Sequence, residues 1–153
     1  MNRRTALLSG AALPFLGAFA SATATAAPSD DASAVIDRFA AAYSANDADA
    51  VLKLYTPDAL LFGTSSPISR GTDGLRTYFS RIPGSGNKCV IGDRQLLVLD
   101  DNAVAAMGFY EFTLMQSGQP VPLPARFTMV IVKRSAAWLI AHHHSSRRPE
   151  PPK

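Results

Sequence analysis

The chain has 153 residues, of which 47% are apolar and 18% charged, with a formal net charge of +3. That length suits one domain with a core of its own and excludes a multidomain enzyme or a long repeat array; the apolar fraction excludes disorder throughout. A single cysteine, Cys89, excludes an intramolecular disulfide and a cysteine-built zinc cluster.

The first residues read as an address. Arg3-Arg4 precede an apolar stretch running to about Ala20 and interrupted by Gly10, Pro14 and Gly17, and Ala-x-Ala follows at Ala22–Ala24 and Ala24–Ala26. This is the order of an export signal, with a twin-arginine look. The apolar run is too short for a membrane span. Residues 1–26 are therefore expected to be an export signal peptide cut after Ala26, leaving a periplasmic or secreted protein without a membrane anchor. Loss of Arg3 and Arg4 takes the net charge from +3 to +1, which removes any electrostatic case for nucleic acid.

Residues 27–146 are expected to form one domain. Ser29-Asp30-Asp31 offers a helix start, and Val35, Ile36, Phe39, Ala42 and Tyr43 recur at helical spacing. Asn46 can cap a short second helix carrying Val51, Leu52, Leu54 and Tyr55, ended before Pro57. Ala59–Phe62 suits a short strand and Gly63–Pro67 a loop. Thr72 or Asp73 can cap a third helix with Leu75, Tyr78, Phe79 and Ile82 on one face, stopped by Pro83–Asn87.

The second half changes period. Cys89–Leu99, Ala103–Met115, Ala125–Lys133 and Ala137–His144 are β-rich runs separated by turn-like breaks at Asp100–Asn102, Gln116–Pro120 and Arg134–Ala136. Helices first and strands last predict an α+β domain, a curved antiparallel sheet wrapped around the N-terminal helices. The tail from Arg147 to Lys153 is expected to be loose.

Strict alternation on the last strand would place Trp138, Ile140, His142, His144 and Ser146 on one face and His143 on the other. His142 and His144 then suit an acid/base pair, the polar lining of a pocket, or histidines held by hydrogen bonds at an interface. Glu111 and Arg126 sit in otherwise apolar strands. They suit a structural ion pair, or one of them orients a ligand from inside a cavity. His142, His144 and Glu111 are the weak candidates for catalysis. Tyr43, Tyr55, Tyr78, Tyr110, Arg126, Trp138, His142 and His144 are the candidate pocket residues; ordinary core packing is the competing reading for each aromatic. Cys89 reads as a small strand residue. No metal and no cofactor is expected.

Leu54-Tyr55-Thr56-Pro57-Asp58-Ala59, with Arg70-Gly71 and Tyr78-Phe79 further on, resembles the helix–strand–helix signature of SnoaL-like proteins within the nuclear transport factor 2-like superfamily. Trp138 to Ser146, with Pro149 beyond, is similar to the last strand of bacterial relatives of the calcium/calmodulin-dependent kinase II association domain. The resemblance implies a cone-shaped cystatin-like fold with an interior cavity and, commonly, a homodimer formed across the sheets. It does not imply one chemistry. The association domain's cavity arginines would fall near Phe109, Met129 and Ser145, so a hub-like acid pocket does not transfer, and a ketosteroid isomerase-type base and oxyanion hole cannot be matched residue by residue.

Three readings follow: an exported, dimeric small-ligand-binding or association domain; a cofactor-free SnoaL-like or ketosteroid isomerase-type enzyme (an isomerase, dehydratase or cyclase); or a structural dimer with a filled cone. Convergence of His142, His144 and Arg126 on a cavity is what would favour the first two.

Overall fold

Three helices lie against one face of a single six-stranded sheet in the computed structural model, which describes residues 26–149 apart from Ser65. The proposed export signal, residues 1–25 of it, and the tail from Glu150 onward lie outside the described residues. Helix α1 runs Pro28–Ser44, α2 Ala48–Leu52 and α3 Gly71–Phe79. The strands are β1 Tyr55–Phe62, β2 Ile68–Arg70, β3 Lys88–Asp100, β4 Ala103–Gln116, β5 Gln119–Arg134 and β6 Ala137–Arg147. Their order is β2-β1-β6-β5-β4-β3, antiparallel at every pairing except β1 with β6, which is parallel.

Helix α1 starts one step before the expected Ser29. Pro28 takes the first helical position, where its missing N–H costs nothing, and Asp30 and Asp31 complement the positive end of the helix. Its buried stripe is Ala32, Val35, Ile36, Phe39 and Ala40. Asn46 ends α1 and does not cap α2: at φ 61° it takes the left-handed conformation that asparagine tolerates. Its amide bonds the Asn87 carbonyl at 2.9 Å and accepts from the Gly86 N–H at 2.6 Å, tying the helix end to the loop before β3. Asp47 is the cap of α2, accepting from the Ala50 N–H at 2.8 Å. Arg94 fastens β3 to α1 through a two-bond ion pair with Asp37, at 2.6 and 3.0 Å.

Three expectations need correction in detail. Tyr55 opens β1 and is not helical. Strand β2, three residues long, was not expected at all. The stretch Pro120–Pro124 is not a turn but the first part of β5. Prolines 120, 122 and 124 alternate there and are all exposed, while β4 pairs with the same stretch. The Pro124 carbonyl accepts from the Arg148 N–H, so it points away from β4, and in a strand the N–H position of a residue points the same way as its carbonyl. All three prolines therefore omit donors from the free edge. The tail is held at its start: Arg147 ends β6, and Arg148 lays its guanidinium over the Phe109 ring, 3.9 Å from the centroid.

Two β-bulges bend the sheet. In β3 the three-residue step from Ile91 to Arg94 faces the two-residue step from Tyr110 to Gly108. In β6 the step from Ile140 to His142 faces the single step from Ile131 to Val130, which leaves Ala141 as the extra residue.

Candidate functional site

The Ala141 bulge decides which histidine faces the helices. Before it, Trp138 and Ile140 point inward and are buried; after it the parity is inverted, and His143 and Ser145 are the buried residues. His142 and His144, expected on the inner face with Trp138, lie on the outer one. His143, expected to point away, stands in an inner row with Leu61 of β1, Met129 of β5 and Ala106 of β4.

On the inner side, α1, α3, the β1–β2 loop and the sheet enclose a cleft of about 830 Å³. Its wall is mostly apolar and aromatic, with Phe39, Leu61, Phe79, Phe112 and Leu123 among the contributors. Tyr43, Tyr78 and Tyr110 reach this wall, as do His143, Ser145 and Thr64. No aspartate or glutamate does so among the described residues. Gly63 makes room for Tyr78, because a methyl group at that glycine would overlap the tyrosine ring.

His143 is 2% exposed and is held by two phenols: the Tyr55 hydroxyl lies 2.7 Å from Nδ1 and the Tyr110 hydroxyl 3.3 Å from Nε2. Phe39 presents edge-to-face to the imidazole with centroids 5.3 Å apart. Burial pushes the imidazole pKa down to about 3, with smaller contributions from His142 and His144. The ring is therefore neutral at physiological pH, with one nitrogen donating and the other accepting. Of the two tyrosines, one must donate to the ring and the other must accept from it. Burial raises the phenols of Tyr55 and Tyr110 above their ordinary range; at Tyr110 the neighbouring Ser145 hydroxyl offsets part of the rise. Burial also pushes Tyr43 up to about 12 and raises Tyr78. Ser145 is hydrogen-bonded in turn to Thr64. A strip of neutral polar groups thus crosses an apolar wall, from Tyr55 beneath the surface to Thr64 nearer the opening.

The other candidates go elsewhere. Tyr55 is buried behind His143 and is absent from the cleft wall, and Trp138 is a core residue, 7% exposed. Arg126 is exposed on the outer face and donates from Nε to Ser146 Oγ at 3.0 Å. Glu111 is exposed on β4, and no ion pair joins it to Arg126 among the described residues. The cause is register: Arg126 faces Phe109 across the ladder, whereas Glu111 faces Pro124. Arg126, His144, Thr128 and Ser146 line a separate outer depression of about 580 Å³ with Met107 and Phe109. Cys89 is buried, its thiol pushed up to about 12 by desolvation, which removes nucleophilic character. No cluster of three His, Cys, Asp or Glu side chains with metal-holding geometry occurs among the described residues.

Comparison with known proteins follows this geometry. No curated protein matches the chain. A solved structure from Xanthomonas campestris, described as a calcium/calmodulin dependent protein kinase II association domain, is 34% identical; the match covers 83% of this chain and 95% of that one, with a TM-score of 0.74. A ketosteroid isomerase-like protein from Erwinia carotovora atroseptica shares the fold at 18% identity, 79% and 96% coverage and a TM-score of 0.67. An uncharacterised protein with a cystatin-like fold from Caulobacter vibrioides does so at 16% identity, 79% and 89% coverage and 0.69. The family model for the SnoaL-like domain matches residues 32–149, nearly the whole of the described chain, and the protein belongs to that family.

Proposed function

We propose that this protein is an exported binding domain that holds a small, mostly apolar molecule with a carbonyl or hydroxyl oxygen at Tyr110, and that it acts as a homodimer. The observation that carries the binding reading is His143, neutral and clamped between Tyr55 and Tyr110 in the floor of an aromatic cleft. Its tautomer adapts the site. With the proton on Nε2, the ring donates to Tyr110, whose own hydroxyl is free to donate to a carbonyl. With the proton on Nδ1, Tyr110 donates to the ring and offers lone pairs to a hydroxyl. Arg3-Arg4, the apolar stretch after them and the Ala-x-Ala sites support export.

Native mass spectrometry of the protein incubated in cell extract is the test. A small molecule should stay bound, and Tyr110→Phe should weaken its retention by about three- to tenfold, the worth of one hydrogen bond. Arg126→Ala, on the outer face, should leave retention unchanged. Equal retention by Tyr110→Phe would remove Tyr110 as the anchor.

A cofactor-free enzyme of the ketosteroid isomerase or dehydratase type is the second reading. One observation favours it: Tyr110 backed by a neutral imidazole is a suitable donor to an oxyanion. Against it, an imidazole with a pKa of about 3 is a weak base at neutral pH, and no carboxylate reaches the cleft wall among the described residues. Conversion of the retained compound, abolished in His143→Gln, would move the assignment to an enzyme.

The dimer reading rests on the outer sheet face. Phe62, His144, Thr128 and Met107 form one row across it, and Phe109 with Arg126 lies in the next. Phe62, Met107 and Phe109 are 46%, 40% and 41% exposed, an apolar surface of the kind that marks interfaces. Size-exclusion chromatography with light scattering should give a dimer, and Phe109→Glu should shift it to monomer at micromolar concentration. A wild-type monomer at high concentration would overturn this reading.

A further inference from the structure

The cleft wall carries two guanidiniums, and from their placement we infer that the bound molecule is an anion. It has an aromatic body, a neutral oxygen at its inner end and a carboxylate at its outer end, held by Arg70 and Arg81. This rests on the cleft being a binding site, as proposed above.

The two arginines bracket α3: Arg70 ends β2 just before it, and Arg81 follows it by two residues. Both line the cleft and both are exposed, which places them at its opening, whereas His143 and Tyr110 at the inner end are almost wholly buried. The third arginine of this region behaves differently. Arg76, within α3, forms an ion pair with Asp49 at 3.3 Å and does not reach the cleft. The region thus sorts its cations, directing the one with an acidic partner away from the cleft and the two without one, among the described residues, into its mouth. Ser66 adds a further polar group there: its hydroxyl lines the cleft, is buried and has no hydrogen-bond partner among the described residues.

The arrangement grades from uncharged to cationic along the cleft. A molecule that is neutral throughout would satisfy only the inner end. A carboxylate at the mouth matches the flat fork of a guanidinium and keeps one side in water, so it escapes the desolvation that a buried charge would suffer. The aromatic wall, with Phe39, Tyr43, Tyr78 and Phe112, suits a ring system between the two ends.

A matched pair of probes tests this: 6-hydroxy-2-naphthoate, and its methyl ester, which keeps the ring and hydroxyl but carries no charge. Isothermal titration calorimetry at low salt should show the acid binding about tenfold more tightly than the ester, the worth of two partly exposed charge contacts. The double variant Arg70→Gln/Arg81→Gln should bring the acid down to the affinity of the ester and leave the ester unchanged. Raising the salt should weaken only the acid. Tyr110→Phe, in contrast, should weaken both probes equally. Equal binding of acid and ester, untouched by the double variant, would overturn the anionic class while the cleft remains a binding site. Binding of neither probe would overturn both.

Discussion

Lowering the pH from about 7 to about 4.5 should destabilise this protein by roughly 2–3 kcal/mol, and most of that loss should vanish in a His143→Gln variant. The imidazole has a pKa of about 3 when folded, because burial excludes the charged form, and about 6.5 when the chain is unfolded. Below about pH 6.5 the unfolded chain therefore takes up a proton that the folded one refuses. Stability is fully present above that value and falls by about 1.4 kcal/mol per pH unit until the folded form protonates near pH 3. The tyrosines on either side cannot relieve the charge, since their raised phenols stay protonated and neutral across this range. Glutamine keeps a donor and an acceptor for Tyr55 and Tyr110 but does not titrate, so its own cost should appear equally at both pH values. Urea midpoints at the two pH values, for both proteins, give the comparison. A wild-type midpoint that is the same at each would show that His143 is not held neutral.

Gly108→Val should be the most damaging single substitution outside the cleft, at about 3 kcal/mol or more. Gly108 lies opposite Arg94 of β3, immediately where the β3 bulge brings that strand's backbone over β4. A Cβ at this position would sit 2.6 Å from the Asp93 carbonyl oxygen and 2.9 Å from the Arg94 Cα. Backbone atoms cannot swing aside as a flexible side chain would. The bulge would have to open, and with it the Arg94–Asp37 clamp that holds α1 to the sheet. Gly92→Ala, in the bulge itself, is the control: its nearest neighbour would be at 3.5 Å, an ordinary contact, so a change of about 1 kcal/mol or less is expected. Thermal or urea denaturation would separate the two, and a Gly108→Val protein as stable as wild type would show that β3 is free to shift there.

The elements were legible in the sequence to the extent that their periodicity ran unbroken. Val35, Ile36 and Phe39 marked α1, and the four long β-rich runs became β3 to β6. The grouping of helices before strands gave the α+β fold. Three of the four tyrosines expected at the cavity, Tyr43, Tyr78 and Tyr110, do reach its wall. What the sequence hid was parity. Ala141 carries no signature of a bulge, being neither glycine nor proline, yet it transfers every later side chain of β6 to the opposite face. With three histidines in a row, the residue type at the site could be named while the position could not. The arginines suffered a related ambiguity: Arg126 looked conspicuous in an apolar strand, but a strand with one wet face accommodates it easily. Arg70 and Arg81, in unremarkable polar surroundings, drew no notice. Their bearing on the cleft depends on how α3 packs, which no local pattern encodes.

The three alternating prolines of β5 have a consequence for life at high concentration. A foreign strand seeking to extend the sheet along that border would find carbonyls but, at every second residue, no amide to meet its own. Such a border resists fibril-like stacking. Any self-association of these molecules is thereby steered away from open-ended growth and toward a closed, countable assembly.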